Sequence, residues 1–412
     1  MTDIFETARS QSAELKCGHV FVAPVLVISA AIDCGGDPSP SMQPELREAG
    51  PATCYTVERV PNPAAEHAPV QQFVDLDEHG RVLFNTMTAD FETDRAYLWS
   101  GGEPQPIDVG SSSTSALAMN NRGAVLGIAW REDLEQHQAF VWKDGEVQAW
   151  IALPPENNWA DQGWIDDRGR AVLRLLVGDA PFRAQTLLWD GAEVHDLGLW
   201  SVDAVNETGE LAGFDAERGE LVKWRWEQKI ATKKVCRSGE VWEAGMRINR
   251  HGQVAASLLC DGKEEEFFKR DVLWSGDEVS DLPDLRGSHT RFMDLNDRGE
   301  VLGVVDEDGG PVLWRDDELI ELSLPPGIQS VVATDVNNHG VITGFSYAHA
   351  LLVGDADGLF ELPRPKLPFE GYEVPGAIND HGVIVHAFAD DIFATQDMRV
   401  FQWRPGCDPD DA

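Results

Sequence analysis

A short phrase recurs eight times along this chain: Asn or Asp, two mostly polar residues, Gly, then an alternating apolar run. Its glycines are Gly80, Gly123, Gly169, Gly209, Gly252, Gly299, Gly340 and Gly382, separated by 43, 46, 40, 43, 47, 41 and 42 residues. A period of 40 to 50 residues that reads as strands throughout is the mark of propeller blades. Asn or Asp at a strand end can bond the backbone two residues on, and Gly supplies the positive φ that a tight hairpin demands. Asp77, Asn120, Asp166, Asn206, Asn249, Asn296, Asn337 and Asn379 hold the first position. Calcium at these turns is disfavoured, because the ion needs six or more oxygens and most copies offer a neutral Asn.

Each unit reads as four short strands, from apolar alternation bounded by turn signals. A tryptophan recurs on the third: Trp99, Trp142, Trp189, Trp224, Trp274, Trp314 and Trp403, with Val353 in the seventh unit. An aromatic that returns once per blade is expected to pack between neighbouring blades rather than to hold a ligand.

Ring closure follows from what the units lack. The array opens on a lone strand resembling the fourth of a unit, Tyr55 to Val60, and ends on a third strand, Val400 to Trp403. Antiparallel pairing of the two predicts an all-β propeller of eight four-stranded blades, the N-terminal strand completing the last, with no long open edge. That pairing would bring Cys54 beside Cys407, and Cys236 in a fourth-to-first-strand loop can meet Cys260 in a second-to-third-strand loop on the same face. Two disulfides would mean an oxidising compartment. Six scattered cysteines that simply stay reduced are the alternative.

The expected organisation is a signal-like segment over 1–33, a flexible tether over 34–52 rich in Pro, Gly, Ser and Glu, the propeller over 53–407, and an acidic tail over 408–412. Val20 to Ile32 carries no charge, follows Lys16 and ends near the small residues Ser29 and Ala31. It is too short for a membrane span and suits a signal-peptide core. The run from Cys34 to Pro40 resembles the start of a bacterial lipoprotein, which makes Cys34 a lipidation candidate, although Asp33 departs from the small residue usual there. Cleavage after Ala31 is the alternative. A place in the cell envelope, lipid-anchored at the outer membrane or secreted, is expected. Residues 1 to 15, with Asp3, Glu6 and Glu14, do not read as the leading part of a signal peptide.

The phrases Gln138 to Trp142, Arg95 to Trp99 and His349 to Leu351 lie between an Asn-x-x-Gly hairpin and a Gly-rich turn. In this they resemble the bacterial extracellular HAF-repeat β-propeller proteins, as a degenerate member in which only His349 keeps the family's histidine. The resemblance spans residues 54 to 404. It implies fold and an extracellular setting, and carries no catalytic residues.

With 71 acidic against 33 basic residues the net charge is −38, which repels nucleic acid along most of the surface. No nucleophile elbow, zinc helix, phosphate loop or Cys-x-x-Cys pair is present, and no cofactor is implied. His79, His251, His339 and His381 fill the position before the hairpin glycine and read as turn surface. Residues outside the repeat are the candidates for ligand contact: Trp130, Arg131, Trp150, Trp159, Trp164, Trp200, Trp242, Arg286, His289 and Arg291, expected in the loops of one face. Tryptophans beside Arg and Asn could stack on and bond a sugar or peptide; the alternative is that they cover loops or cap blades. The function expected is a monomeric, non-enzymatic binding or scaffolding module for a protein or glycan at the cell surface. A carbohydrate-active lyase or hydrolase using funnel carboxylates is the competing reading, marked by inward-facing titratable groups from several blades.

Overall fold

The computed structural model describes residues 54–406 apart from 89–92, 155–159, 178–182, 199–200, 216–217, 227, 262–266, 284–289, 306–309, 317, 347–349, 368–371 and 391–396. Among the described residues every regular element is a β-strand. The first strand, β1 (Tyr55–Arg59), precedes the repeat; then come β2 (Val70–Leu76), β3 (Val82–Met87), β4 (Thr93–Trp99) and β5 (Gln105–Pro106). Six separate four-stranded sheets follow. They are β6 (Thr114–Met119) to β9 (Glu146–Ile151) by way of β7 (Val125–Arg131) and β8 (Gln136–Lys143); then β10 (Ala160–Ile165), β11 (Ala171–Val177), β12 (Arg183–Trp189) and β13 (Val194–Asp196). Next are β14 (Ser201–Val205), β15 (Glu210–Asp215), β16 (Glu220–Arg225) and β17 (Gln228–Lys234), and β18 (Gly239–Ile248), β19 (Val254–Asp261), β20 (Phe267–Ser275) and β21 (Glu278–Asp281). The last two are β22 (Thr290–Leu295), β23 (Val301–Val305), β24 (Pro311–Arg315) and β25 (Glu318–Glu321), and β26 (Val331–Val336), β27 (Ile342–Ser346), β28 (Leu351–Asp355) and β29 (Gly358–Glu361). The chain ends with β30 (Tyr372–Ile378), β31 (Ile384–Ala389) and β32 (Met398–Pro405), which belong to one sheet with β1 and β2–β5.

Within that larger sheet, β1 lies antiparallel on β32, from Tyr55 opposite Pro405 to Arg59 opposite Phe401. The N-terminal strand thus forms the outer edge of the β30–β31–β32 meander, as its fourth-strand character predicts. Only Val70 and Met398 pair, in parallel, across the join between β32 and β2.

Apolar alternation places the core between sheets. Eight clusters of buried side chains each draw on two consecutive sheets, and one of them joins Val70, Val82 and Trp99 to Val385 and Val400, from the last meander to the first. The array therefore closes on itself, and the fold is a β-propeller. Trp99, Trp142, Trp274 and Trp403 are fully buried in these seams, and Trp189, Trp224 and Trp314 are buried as well. Each sits opposite the first or second residue of the second strand of its own sheet, for example Val82 opposite Trp99 and Ile384 opposite Trp403. Where the sequence suggests Val353 as the seventh counterpart, the register puts Gly354 opposite Ile342. The hairpin is fixed from its other end, where Ser346 N–H donates to Ala350 O, so the strand slides one residue relative to the tryptophan alignment.

Cys236 and Cys260 form a disulfide with Cα atoms 5.5 Å apart. Cys236 lies in the connection after β17, as expected, but Cys260 sits in β19 rather than in a loop, because that strand runs eight residues. Cys54 is disulfide-bonded and its carbonyl accepts Gly406 N–H at 2.8 Å; Cys407 lies outside the described residues, as do Cys34, the segment 1–33, the tether 34–52 and the tail 408–412.

Candidate functional site

The repeated turn is built from one side chain that works in two directions. In each copy the Asn or Asp Oδ1 accepts the N–H groups two and four residues on; at Asn337 these are His339 at 3.0 Å and Val341 at 2.9 Å. All eight glycines have φ between +72° and +85°, the left-handed region that only Gly enters without strain. Meanwhile the Asn amide donates to the carbonyl of the next sheet's turn: Asn120 to Asp166, Asn206 to Asn249, Asn249 to Asn296, Asn296 to Asn337, Asn337 to Asn379, and Asn379 back to Asp77, at 2.7 to 3.0 Å. A belt of side chain to backbone bonds therefore runs from turn to turn. A second strand of the belt uses the following residue, whose N–H donates to the side chain at the same place in the next turn, as in Asp380 N–H to Glu78 and Glu78 N–H to Asn121.

Asp77 and Asp166 cannot donate, and each is followed four residues later by arginine. Arg170 binds Asp166 at 2.6 Å and lies so close over Gly209 of the next turn that a Cβ there would meet Nη2 at 2.3 Å. Arg81 binds Asp77 and donates to Asn121 O at 2.9 Å. The belt was missed from sequence, although the coincidence of Asp with Arg four residues on, in two copies of eight, signals it.

The first strands of consecutive sheets contact one another and form the inner wall. Two centres of charge lie there. Arg174 on β11 binds Asp161 on β10 at 2.5 Å and Asp203 on β14 at 3.1 Å. Arg247 on β18 reaches Asp294 on β22 at 3.3 Å, and Asp294 and Asp335 on β26 are close enough to raise the Asp335 carboxyl, mostly through burial and then through the neighbouring negative charge. Burial likewise pushes Asp75 up to about 6. These carboxylates serve the backbone: Asp75 accepts Met119 N–H at 2.8 Å, Asp294 accepts Val336 N–H at 3.1 Å, and Asp335 accepts Ile378 N–H at 2.8 Å, each on the first strand of the next sheet. Among the described residues no group of three or more His, Cys, Asp and Glu is arranged to hold a metal ion.

Of the ten candidate residues, six lie in strands and not in loops. Trp130 and Arg131 end β7, Trp150 is in β9, Trp164 in β10, Trp242 in β18 and Arg291 in β22. The strands are longer than the repeat suggests, since β7 and β8 stay paired out to Arg131 opposite Gln136. Trp242's side chain, and all of Trp159, Trp200, Arg286 and His289, lie outside the described residues.

The structure brings two of the ten together, Arg131 and Trp150, while Trp130, next to Arg131 in the strand, points to the other face of the sheet. The Arg131 guanidinium lies 4.5 Å from the Trp150 ring centre, the Trp130 ring meets His137 edge-on at 5.0 Å, and Trp150 meets Phe140 edge-on at 6.0 Å. Arg131 is held bidentate by Asp133, at 2.9 and 2.7 Å, which keeps its guanidinium flat over the indole. Trp130 and Arg131 end β7 on the side of the sheet opposite the Asn-x-x-Gly turns, whereas Trp150 pairs with Phe140, itself opposite Gly127, so Arg131 reaches back along the sheet to it. Trp164 and Trp226 pack, partly buried, against the seam between the β10–β13 and β14–β17 sheets, as Trp150 does against the seam between the first sheet and β6–β9. Arg291 is half-buried in β22, opposite Val304.

The chain matches no protein-family model and no curated protein. Among solved structures it is similar to a streptogramin B lyase at 9% identity, over 85% of this chain and 98% of that one, with a TM-score of 0.42. It is similar to the β-propeller domain of the trilobed protease from Pyrococcus furiosus at 11% identity, 81% and 95% coverage and TM-score 0.45. YCF48 from Cyanidioschyzon merolae is alike at 10% identity, 84% and 98% coverage and TM-score 0.45.

Proposed function

We propose that the chain is an exported, eight-bladed β-propeller that acts as a non-enzymatic binding or scaffolding module at the bacterial cell surface. Its ligand, a protein or a glycan, meets the face opposite the Asn-x-x-Gly turns, on the Arg131 and Trp150 pair. The observation that carries this reading is the commitment of the inner carboxylates: Asp75, Asp294 and Asp335 each hold a backbone N–H of the next sheet, and Asp161 and Asp203 hold Arg174. Acids spent on tying sheets together are not free to move protons. The count of eight is supported by the single parallel pair at Val70 and Met398, which divides the large sheet into two meanders of four strands. Export agrees with the Cys236–Cys260 disulfide, with lipidation at Cys34 or cleavage after Ala31 as the two routes.

The carbohydrate-active reading keeps one observation in its favour: burial and the neighbouring Asp294 charge raise the Asp335 carboxyl well above its ordinary range, the direction a general acid needs. One experiment separates the two. The purified protein is applied to a glycan array and to cell-surface extract, and each glycan hit is assayed for products. Binding without turnover is expected, weakened about thirtyfold by Trp150→Ala, as for a central aromatic anchor. Turnover abolished by Asp335→Asn would overturn the non-enzymatic reading, and binding indifferent to Trp150→Ala would remove the patch.

A further inference from the structure

The outer strands of the sheets differ sharply in charge. Glu58 on β1, Glu146 on β9, Asp196 on β13, Glu278 and Asp281 on β21, Glu318 and Glu321 on β25 and Glu361 on β29 give each of these edges a carboxylate, and none of them carries a lysine. β5 is uncharged and β1 adds Arg59, but β17, Gln228–Lys234, carries Lys229, Lys233 and Lys234 and no acid. It lies in a stretch, 218 to 237, that holds seven of the chain's 33 basic residues against Glu220 and Glu227. The stretch sums to +5 against −43 for the rest of the chain, and since Arg218 and Arg225 are paired with Asp215 and Glu210, the island of opposite sign is centred on the lysines of β17.

Three features make the island an edge that can receive a strand. β17 is the last strand of its sheet and pairs only with β16 among the described residues, so its other side presents backbone donors and acceptors. Gln228, Lys229, Ile230, Thr232 and Lys234 are exposed, Ile230 at 39%. The strand is also pinned at its far end. Val235 and Cys236 N–H both donate to Gly219 O, Cys236 is bonded to Cys260, and Lys233 Nζ donates to Asp277 O on the neighbouring sheet. Lys234 Nζ likewise donates to backbone carbonyls, of Arg218 and Arg237. Carbonyl partners fix an ammonium without neutralising it. A fixed edge pays little ordering entropy when it pairs, and screening within about 8 Å at physiological salt lets the island act apart from the distant acidic surface.

We propose that β17 is a docking edge for an acidic peptide segment of a partner protein, which adds to the β14–β17 sheet as a further strand. Backbone pairing supplies the geometry, the lysines select carboxylates on alternate positions, and Ile230 offers one apolar contact. This surface is separate from the Trp150 patch and stands whether or not that patch binds a ligand. A second copy of this chain is a poor occupant, since two bodies of charge −38 repel.

The test is fluorescence anisotropy of the full chain titrated with a labelled peptide alternating Glu and Val. Saturable binding that weakens with salt is expected, lost when alternate backbone nitrogens of the peptide are methylated, and weakened about tenfold by Lys229→Glu with Thr232→Glu, two exposed changes that set like charges opposite the peptide. An unchanged unfolding midpoint confirms that this variant folds, and Lys229→Arg should keep the affinity. The proposal fails if no saturable binding occurs, if the methylated peptide binds equally well, or if a sulfated polysaccharide binds where the peptide does not, which would make the island a glycan polyanion site.

Discussion

The inter-turn belt makes a prediction that needs two substitutions to test. Asn249 Nδ2 donates to Asn296 O at 3.0 Å and to Gln253 Oε1 at 2.7 Å, while Oδ1 accepts His251 and Gln253 N–H. Asn249→Asp keeps the shape and the acceptors, but turns the donor into a charged oxygen that faces a carbonyl. Gln253 can turn its amide round; the Asn296 carbonyl cannot. Losing a net hydrogen bond costs about 1 kcal/mol, and setting a buried carboxylate against the Asn296 carbonyl, which keeps only the Gly299 N–H, about 2 more, so about 3 kcal/mol in all. A domain this large unfolds in urea with a slope of roughly 4 kcal/mol/M, which puts the midpoint down by about 0.7 M. Gln253→Arg should then restore about 2 kcal/mol, because Gln253 already reaches over Gly299 as Arg170 reaches over Gly209, and the guanidinium would reproduce the Arg170–Asp166 pair. Acidification should help the single variant alone, since the introduced carboxyl becomes a donor once protonated. A loss below about 0.5 kcal/mol, typical of a surface change, or a double variant no more stable than the single one, would refute the belt.

Four further outcomes are expected. His386 is fully buried between Thr343 Oγ1 at 3.2 Å and Val374 O at 3.3 Å, and burial pushes it down to about 4 from 6.5. The fold keeps the neutral ring, so its contribution is whole above about 6.5 and is lost as pH falls through the window down to about 4, reaching about 3 kcal/mol; urea midpoints measured across that range should slope less in His386→Gln. Asp75, raised to about 6, runs the other way: its burial penalty is absent below its unfolded value near 3.8 and grows as pH rises towards about 6, so the His386→Gln protein should gain stability on mild acidification. Reduction of Cys236–Cys260, which spans 24 residues, should cost about 3 kcal/mol by loop entropy, read as a lower midpoint in dithiothreitol. Deleting residues 1–61 strips β32 of its partner strand and removes Val60 from the closing seam; a cooperative transition at the original midpoint would show that β1 is dispensable.

What the sequence reveals and what it conceals divide along physical lines. The repeat, the four strands per unit, the pairing of Tyr55–Arg59 with the last strand and the Cys236–Cys260 bridge were all legible, because each rests on local turn chemistry or on alternation that a chain of 43-residue units can satisfy in few ways. Strand ends were not. Trp130, Arg131, Trp164 and Arg291 look like loop residues only if every strand stops where the repeat stops, and hairpin pairing carries β7 and β8 beyond that point. Nor could the sequence show that Trp150 and Trp164, both outside the pattern, each pack against an apolar seam, with the Arg131 guanidinium over Trp150.

The same geometry explains why an acidic chain needs its polar inner wall. Asp75, Asp294 and Asp335 each accept an N–H of the next first strand, and at the turns the Asn amides donate to the backbone carbonyl of the next turn, so neighbouring sheets are tied at the turn and, at these three places, again above it. Apolar seams set how strongly sheets adhere but not their vertical offset, since hydrophobic contact is non-directional. Hydrogen bonds are directional, and a ring closes only if the offset summed over all sheets is zero. Asn, whose amide donates onward, and Asp, where Arg follows four residues on, are two ways of meeting that one condition. The acids of the inner wall are therefore explained by closure, and the two proposed ligand surfaces, the Arg131 and Trp150 pair and the basic edge of β17, are places where no closure condition applies.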